Sequence, residues 1–247
     1  MKSFKRVLLP SFVVLSIMIL AAAPARAACE LDGFNHPSVA TIFGQDTDPG
    51  TCNGQIISLC NAILVSPTVA ITSADCANTW ATGDGGVFNL TATWLNHNPG
   101  TRADCTGADR ISSYHVHPLW DGSTTSPYNI GVILLDASSA QAPATLPAAG
   151  DVSLLLRNDP LDVVAYVPGA TGLDPTTRQV AARSFARATD FYLKVKGNAC
   201  ADEPDGSGVF LPSSQDVLGM SISSKQGNLR LDIPEVRSFL SAYVTLP

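Results

Sequence analysis

Short segments of strand length recur along this chain and constrain its fold more than any other feature. AILVS (62–66), VAIT (69–72), FNLTATWL (88–95), ISSYHVH (111–117) and NIGVILLD (129–136) form one group. DVVAYV (162–167), FYLKVK (191–196), GVFLP (208–212) and DVLGMSIS (216–223) form a second. Each is rich in β-branched and aromatic residues and is bounded by Gly, Pro, Asn or Asp, which suits pleated strands closed by turns. Their regular spacing predicts an all-β sandwich or barrel pair and speaks against alternating β and α. Between the groups, ASSAQAPATLPAAG (137–150) carries neither charge nor periodicity and reads as a linker over a surface. The chain then ends with a change of period. In DIPEVRSFLSAYV the apolar residues Ile233, Val236, Phe239, Leu240, Tyr243 and Val244 follow helical spacing. Asp232 as N-cap and Glu235 three residues on form a capping box, with Pro234 in the first turn. One amphipathic helix, about 233–244, is expected to dock on the second β group.

Residues 1–27 read as a secretory leader: MKSFKR is basic, VLLPSFVVLSIMILAAA is apolar, and Ala25-Arg26-Ala27 is a small-residue cleavage signal. A spanning helix is the alternative, opposed by that small-residue end. Cys29 raises a lipid-anchor reading, opposed by Arg26 where such a signal wants an aliphatic residue. A secreted protein is expected, with no membrane contact once the leader is cut. The chain has 15 Lys and Arg against 21 Asp and Glu. Lys2, Lys5, Arg6 and Arg26 lie in the leader, so the remainder has 11 against 21. That balance disfavours nucleic acid and anionic lipid, both of which select basic patches. All six cysteines (29, 52, 60, 76, 105 and 200) fall after the leader, and an even number in an oxidising compartment reads as a disulfide set. No C-x-x-C or zinc-type Cys/His spacing occurs, so no metal or cofactor is expected.

Four stretches in order along the chain carry a specific resemblance. HPSVATI (36–42) is similar to the opening strand of the chymotrypsin-like (trypsin-like) serine proteases, bacterial secreted members above all. CNAILVSPTVAITSADC (60–76) resembles their C-[SG]-G-T-L-I-S-P-x-x-V-L-T-A-A-H-C. HPLWDGSTTSPYNIGVILLD (117–136) resembles H-P-x-[YW]-D…N-D-[IV]-[GA]-[LV]-[LV]-x-L-D, and FYLKVKGNACADEPDGSGVFL (191–211) resembles the stretch around C-x-G-D-S-G-G-P. The resemblance implies two antiparallel β-barrels, the first about 36–136 and the second about 151–232, followed by the C-terminal helix. It also implies a Cys60–Cys76 bridge beside the catalytic histidine. Cys29, Cys52, Cys105 and Cys200 then allow three pairings.

In that family a histidine takes the serine's proton, an aspartate orients the histidine, and the serine attacks the carbonyl. Carried over, the histidine position is Asp75, the aspartate position Asn129, and the serine position Gly206. All three are replaced. An aspartate starts near pKa ~3.9, about three units below what a base at neutrality wants, a deficit of about 4 kcal/mol. Asn129 can donate its amide to the Asp75 carboxylate, which would lower that pKa further. Ser207 offers a shifted nucleophile if the loop carries one extra residue, but without an imidazole it lacks an activating partner. Pro204 stands at the first oxyanion-hole position of the ungapped reading and has no N–H to donate. Cys200 lies seven residues before Ser207 against four in the motif, and SISSKQGNLRLD lacks the cysteine that usually pairs with it. The Ile-Val-Gly-Gly start of many members is missing too.

His115 and His117 alternate on one strand and admit a metal reading, but H-P-x-[WY]-D as a turn is the better account, with Asp121 as a turn former. Trp80, Trp94 and Trp120 read as packing residues. The sequence therefore predicts a secreted protease homologue without peptidase activity that binds a peptide or protein. A weakly active hydrolase using Ser207 and a purely structural exoprotein are the rivals.

Overall fold

The structure is a computed structural model, and it describes residues 29–45, 56–86, 92–97, 107–168, 175–197, 204–222 and 227–247. The expected leader and Cys52, Cys105 and Cys200 lie outside these residues.

The first strand group closes into a six-stranded antiparallel barrel. Its strands are β2 (Val39–Gln45), β3 (Ile56–Ser66), β4 (Val69–Thr72), β5 (Ala92–Asn96), β6 (Asp109–Val116) and β7 (Gly131–Leu135), in the closed order β2-β3-β4-β7-β6-β5. Period-2 alternation then sorts the side chains. Ala40, Ile42, Ala62, Leu64, Ala70 and Ile133 fill the barrel, together with Leu95 and Trp80. Val39, Ile63, Val69, Ile71 and Val132 point the other way, into a second core. Both faces are buried, which explains why AILVS and VAIT are continuous apolar runs with no polar alternation.

The second barrel is built from β8 (Pro160–Pro168), β9 (Pro175–Ala188), β10 (Tyr192–Lys196), β11 (Gly208–Phe210), β12 (Val217–Met220) and β13 (Asn228–Arg230). Their order is β9-β10-β13-β12-β11-β8, and β8 pairs back to β9 to close it. The short β1 (Glu30–Leu31) adds to the outer edge of β9. Leu161, Val163, Ala181, Phe185, Leu193, Val209 and Leu218 pack inside. Val164, Tyr166, Val180, Phe210, Val217 and Met220 face the first barrel's outward residues in the shared core. The linker is strapped across both: the Ala144 N–H donates to the Leu64 carbonyl and the Thr145 N–H to that of Gln215.

Two elements depart from the sequence expectation. β9 occupies PTTRQVAARSFARA, whose alanines and arginines gave no strand signal, and it pairs with β8 from Pro160↔Ser184 to Pro168↔Pro175. Ladder pairing with a strongly β-forming neighbour overrides weak local propensity. The second is α1 (Ala74–Gly86), which follows β4 directly. Ser73 caps it, its Oγ accepting the Cys76 N–H at 3.1 Å. Gly131 lets α1 approach β7, since a Cβ there would lie 2.5 Å from that of Ala77.

The terminal helix α2 spans Pro234–Leu240, shorter than the expected 233–244, and the capping box does not form. Ile233 occupies the cap position with no side-chain bond. The Asp232 carboxylate is spent elsewhere, accepting from the Val152 N–H (3.0 Å) and from Arg230 (2.9 and 2.8 Å). Nor does α2 dock on the second barrel alone. Phe239 and Tyr243 reach His117 and His115 at the end of β6, with ring centroids 5.0 and 5.3 Å apart.

A buried ionic knot ties the barrels together. Arg178, on β9, is fully buried, and its Nε donates to Asp32 Oδ2 at 2.7 Å. The guanidinium also donates to the carbonyls of Gly33, Val39 and His97, so it bonds the N-terminal segment and two parts of the first barrel at once. His36 completes the knot through Nδ1 at 2.6 Å from Asp32 Oδ1. Burial pushes the Asp32 carboxyl up, but the His36 and Arg178 contacts outweigh it and hold it below its ordinary 3.8. Removing one partner leaves an uncompensated buried charge, so Arg178→Met should cost about 3–5 kcal/mol in chemical denaturation, and Asp32→Asn/Arg178→Met clearly less. A lowered carboxyl pKa stabilises above the unfolded value and loses that contribution as pH falls. The unfolding midpoint should therefore drop between about pH 5 and pH 2, more steeply in the wild type than in Asp32→Asn.

Candidate functional site

Because β4 and β7 are paired neighbours (Thr72↔Gly131), the residues just beyond their adjacent ends meet. Asp75 lies in the first turn of α1 and Asn129 two residues before β7. The Asp75 backbone N–H donates to Asn129 Oδ1 at 3.0 Å. Asn129 is buried, and its Nδ2 donates to the Thr124 carbonyl at 3.1 Å. The Asn129 side chain thus holds the start of α1 through its amide oxygen. A carboxylate in the first turn of a helix is also favoured by the helix dipole, which gives Asp75 a structural reason to be acidic.

The turn 204–207 of the second barrel reaches across to this place. The Asn61 N–H donates to the Asp205 carbonyl at 2.7 Å, and Ser73 Oγ lies 3.4 Å from Asp205 Oδ2. All three positions that the resemblance assigned to catalysis thus converge on one junction between the barrels.

Gly206 has φ +86°, a conformation natural to glycine, and a Cβ placed on it would lie 1.8 Å from the Asn61 carbonyl oxygen and 2.9 Å from Thr72 Oγ1. No side chain fits at the serine position without moving the backbone. Ser207, the candidate shifted nucleophile, is fully buried. Its hydroxyl donates to the Pro204 carbonyl at 2.5 Å and accepts from Asn61 Nδ2 at 2.9 Å. Both contacts hold the hydroxyl as a structural fastener rather than presenting it for attack. The oxyanion positions are closed as well. Pro204 has no N–H, and the Gly206 N–H donates to the Ser221 carbonyl at 2.9 Å.

Asn61 is the residue that sequence reasoning missed. It stands where the resemblance expects Ser or Gly, and that larger polar side chain was the available signal. Buried beside Cys60, it secures Ser207 from the first barrel and also reaches the Tyr166 carbonyl at 3.4 Å. The expected Cys60–Cys76 bridge is present and pins β3 to α1. Cys29 is also disulfide-bonded, and its partner lies outside the described residues. His115 and His117 do not converge with the junction. His115 Nε2 contacts Ser113 Oγ at 3.1 Å, and His117 Nδ1 accepts the Leu119 N–H at 3.1 Å, as a turn-forming H-P motif would. Asp121 forms its turn by accepting the Ser123 N–H.

Solved structures resemble this architecture. A Glu endopeptidase superposes with a TM-score of 0.60 at 14% identity, covering 88% of this chain and 97% of its own. The VesB protease of Vibrio cholerae superposes with a TM-score of 0.61 at 12% identity, covering 86% of this chain and 66% of its own. No protein-family model and no curated protein matches the sequence. At these identities the likeness is one of fold, and the fold is that of the chymotrypsin-like serine proteases.

Two outcomes follow from the junction. Gly206→Ser should destabilise the protein by more than about 2 kcal/mol, because strain and overlap act together. The triple variant Asp75→His/Asn129→Asp/Gly206→Ser should gain no amidase activity in a chromogenic peptide assay. Separately, Cys60→Ala/Cys76→Ala should lower stability by roughly 3 kcal/mol in the chain-entropy account of a loop this long.

Proposed function

We propose that this protein, built on the chymotrypsin-like protease fold, is exported, has no peptidase activity, and acts by binding a peptide or protein at the junction of its barrels. One observation carries the reading: the backbone at Gly206 leaves no room for a nucleophile's side chain. The neighbouring features agree with it. The nearest hydroxyl, Ser207, is buried and doubly bonded, and an aspartate without an imidazole is a weak base at neutral pH. Export is supported by the basic-apolar-small order of residues 1–27 and by the disulfide. Binding is the activity that a two-barrel frame offers without that chemistry. Asp75, half-buried in the first turn of α1, supplies a carboxylate beside the junction.

A fluorophosphonate probe tests the absence of an activated serine. Purified protein should label no more than its Ser207→Ala variant, and labelling abolished by that substitution would overturn the proposal. Selection from a displayed random-peptide library tests the binding half. Enriched peptides should bind wild type and lose at least ten-fold in affinity to Asp75→Lys. Failure to enrich any peptide would favour the structural-exoprotein reading instead. Sequencing the protein's N-terminus from culture medium should give Ala28 as first residue.

A further inference from the structure

A concavity lies between the end of β6 and helix α2, lined by residues other than those of the barrel junction. It encloses about 790 Å³, within the range of small-molecule sites. Its wall is a continuous chain of rings. Tyr128 stacks on His117 at 4.9 Å, His117 meets Phe239 at 5.0 Å, Phe239 meets Tyr243 edge-on at 5.5 Å, and Tyr243 meets His115 at 5.3 Å. Glu235, an acidic residue in the first turn of α2, is among the residues that line it. No lysine or arginine is among the residues lining it. The basic residue of α2, Arg237, is committed elsewhere, donating to the carbonyls of Pro147 and Pro247.

We propose that this pocket is a binding site for a small organic cation, a free quaternary ammonium compound, held against the aromatic faces and the Glu235 carboxylate. The ring quadrupole presents negative charge on its face and attracts a cation there, more strongly the drier the contact. A quaternary ammonium has an apolar exterior and no N–H, so it suits a wall of rings with one carboxylate better than a metal ion or a primary amine does. His117 keeps the wall free of added positive charge. Burial lowers its pKa, against a bond to the Glu235 carbonyl that raises it. Nδ1 accepts the Leu119 N–H at 3.1 Å, an acceptor role that belongs to the neutral ring. Leu119, lining the same pocket, leaves 62% of its surface exposed, an apolar contact for the ligand's body.

The test is a titration of the full-length folded protein by calorimetry and ligand-observed NMR. The probes are choline and its neutral isostere 3,3-dimethylbutan-1-ol, in which carbon replaces the charged nitrogen. Choline should bind saturably, and the isostere at least about ten-fold more weakly, as loss of the cation–ring and cation–carboxylate attraction requires. Glu235→Gln, a surface change that keeps the backbone carbonyl bonded to His117, should weaken choline at least about five-fold. Phe239→Leu, which keeps apolar packing and removes the ring, should do likewise; if it fails to fold, Glu235→Gln decides alone. No saturable choline binding, equal affinity for the isostere, or full affinity in Glu235→Gln would each overturn the assignment. None of these outcomes bears on the barrel-junction proposal, because the two places share no residues.

Discussion

Arg178 and Asp32 make the contact on which the relative placement of the barrels depends. The guanidinium projects from β9 of the second barrel, yet its hydrogen-bonding capacity is met by the N-terminal segment and by carbonyls of the first barrel. A fully buried arginine is tolerable only when its charge and donors are answered, and here both are, by Asp32 and three backbone oxygens. The apolar core shared between the barrels supplies most of the burial, but apolar packing is non-directional. The directional bonds of Arg178 are what set one register between the two units. That register in turn carries the turn 204–207 to Asn61 and Thr72 across the junction.

Seen from that junction, Asp75, Asn129 and Gly206 are not equivalent. Asp75 and Asn129 have been absorbed into local structure: one is a first-turn helix carboxylate, the other holds that helix start by accepting its N–H. Either could change without disturbing the frame far. Gly206 is different in kind, because the backbone itself has taken a path that excludes a side chain. Asn61 and Ser207 consolidate that path, since the amide of one and the hydroxyl of the other bond across the barrels. The backbone path, and not the residue type alone, decides what can stand at this position.

Much of the frame was legible in the sequence, for a physical reason. AILVS, VAIT and NIGVILLD are buried on both faces, so their composition is dictated almost wholly by the strand environment and reads plainly. β9 was illegible because Ala181 and Arg178 are chosen by their tertiary surroundings, a barrel interior on one side and an ionic knot on the other. α1 was hidden because the residues it is seen to bury, Ala74, Cys76 and Ala77, are small, and Trp80 is the one large apolar side chain among them. Asp232 misled for the opposite reason. It has the local signature of a helix cap, but Arg230 two residues earlier and the Val152 N–H compete for the same carboxylate and win. At the site, the triad positions could be placed from motif order, whereas the closure of Gly206 by the Asn61 carbonyl could not, since it depends on a contact between residues 145 positions apart in the chain.

The shared core, the Cys60–Cys76 bridge and the Arg178 knot form the frame around the junction, and the buried Ser207 and Asn61 add a bond across it. Catalytic sites ordinarily carry strain that the rest of the molecule must support. At this junction the φ of Gly206 is positive, and Asn61 and Ser207 hold the turn by a bond across the barrels. The ring-lined pocket beside α2 shows the complementary case. Its tyrosine, phenylalanine and histidine rings touch one another along the wall of an open cavity that Glu235 also lines, and burial lowers the pKa of His117 there. An aromatic surface kept open at a cost in buried area is more economically explained by an occupant than by the needs of the fold.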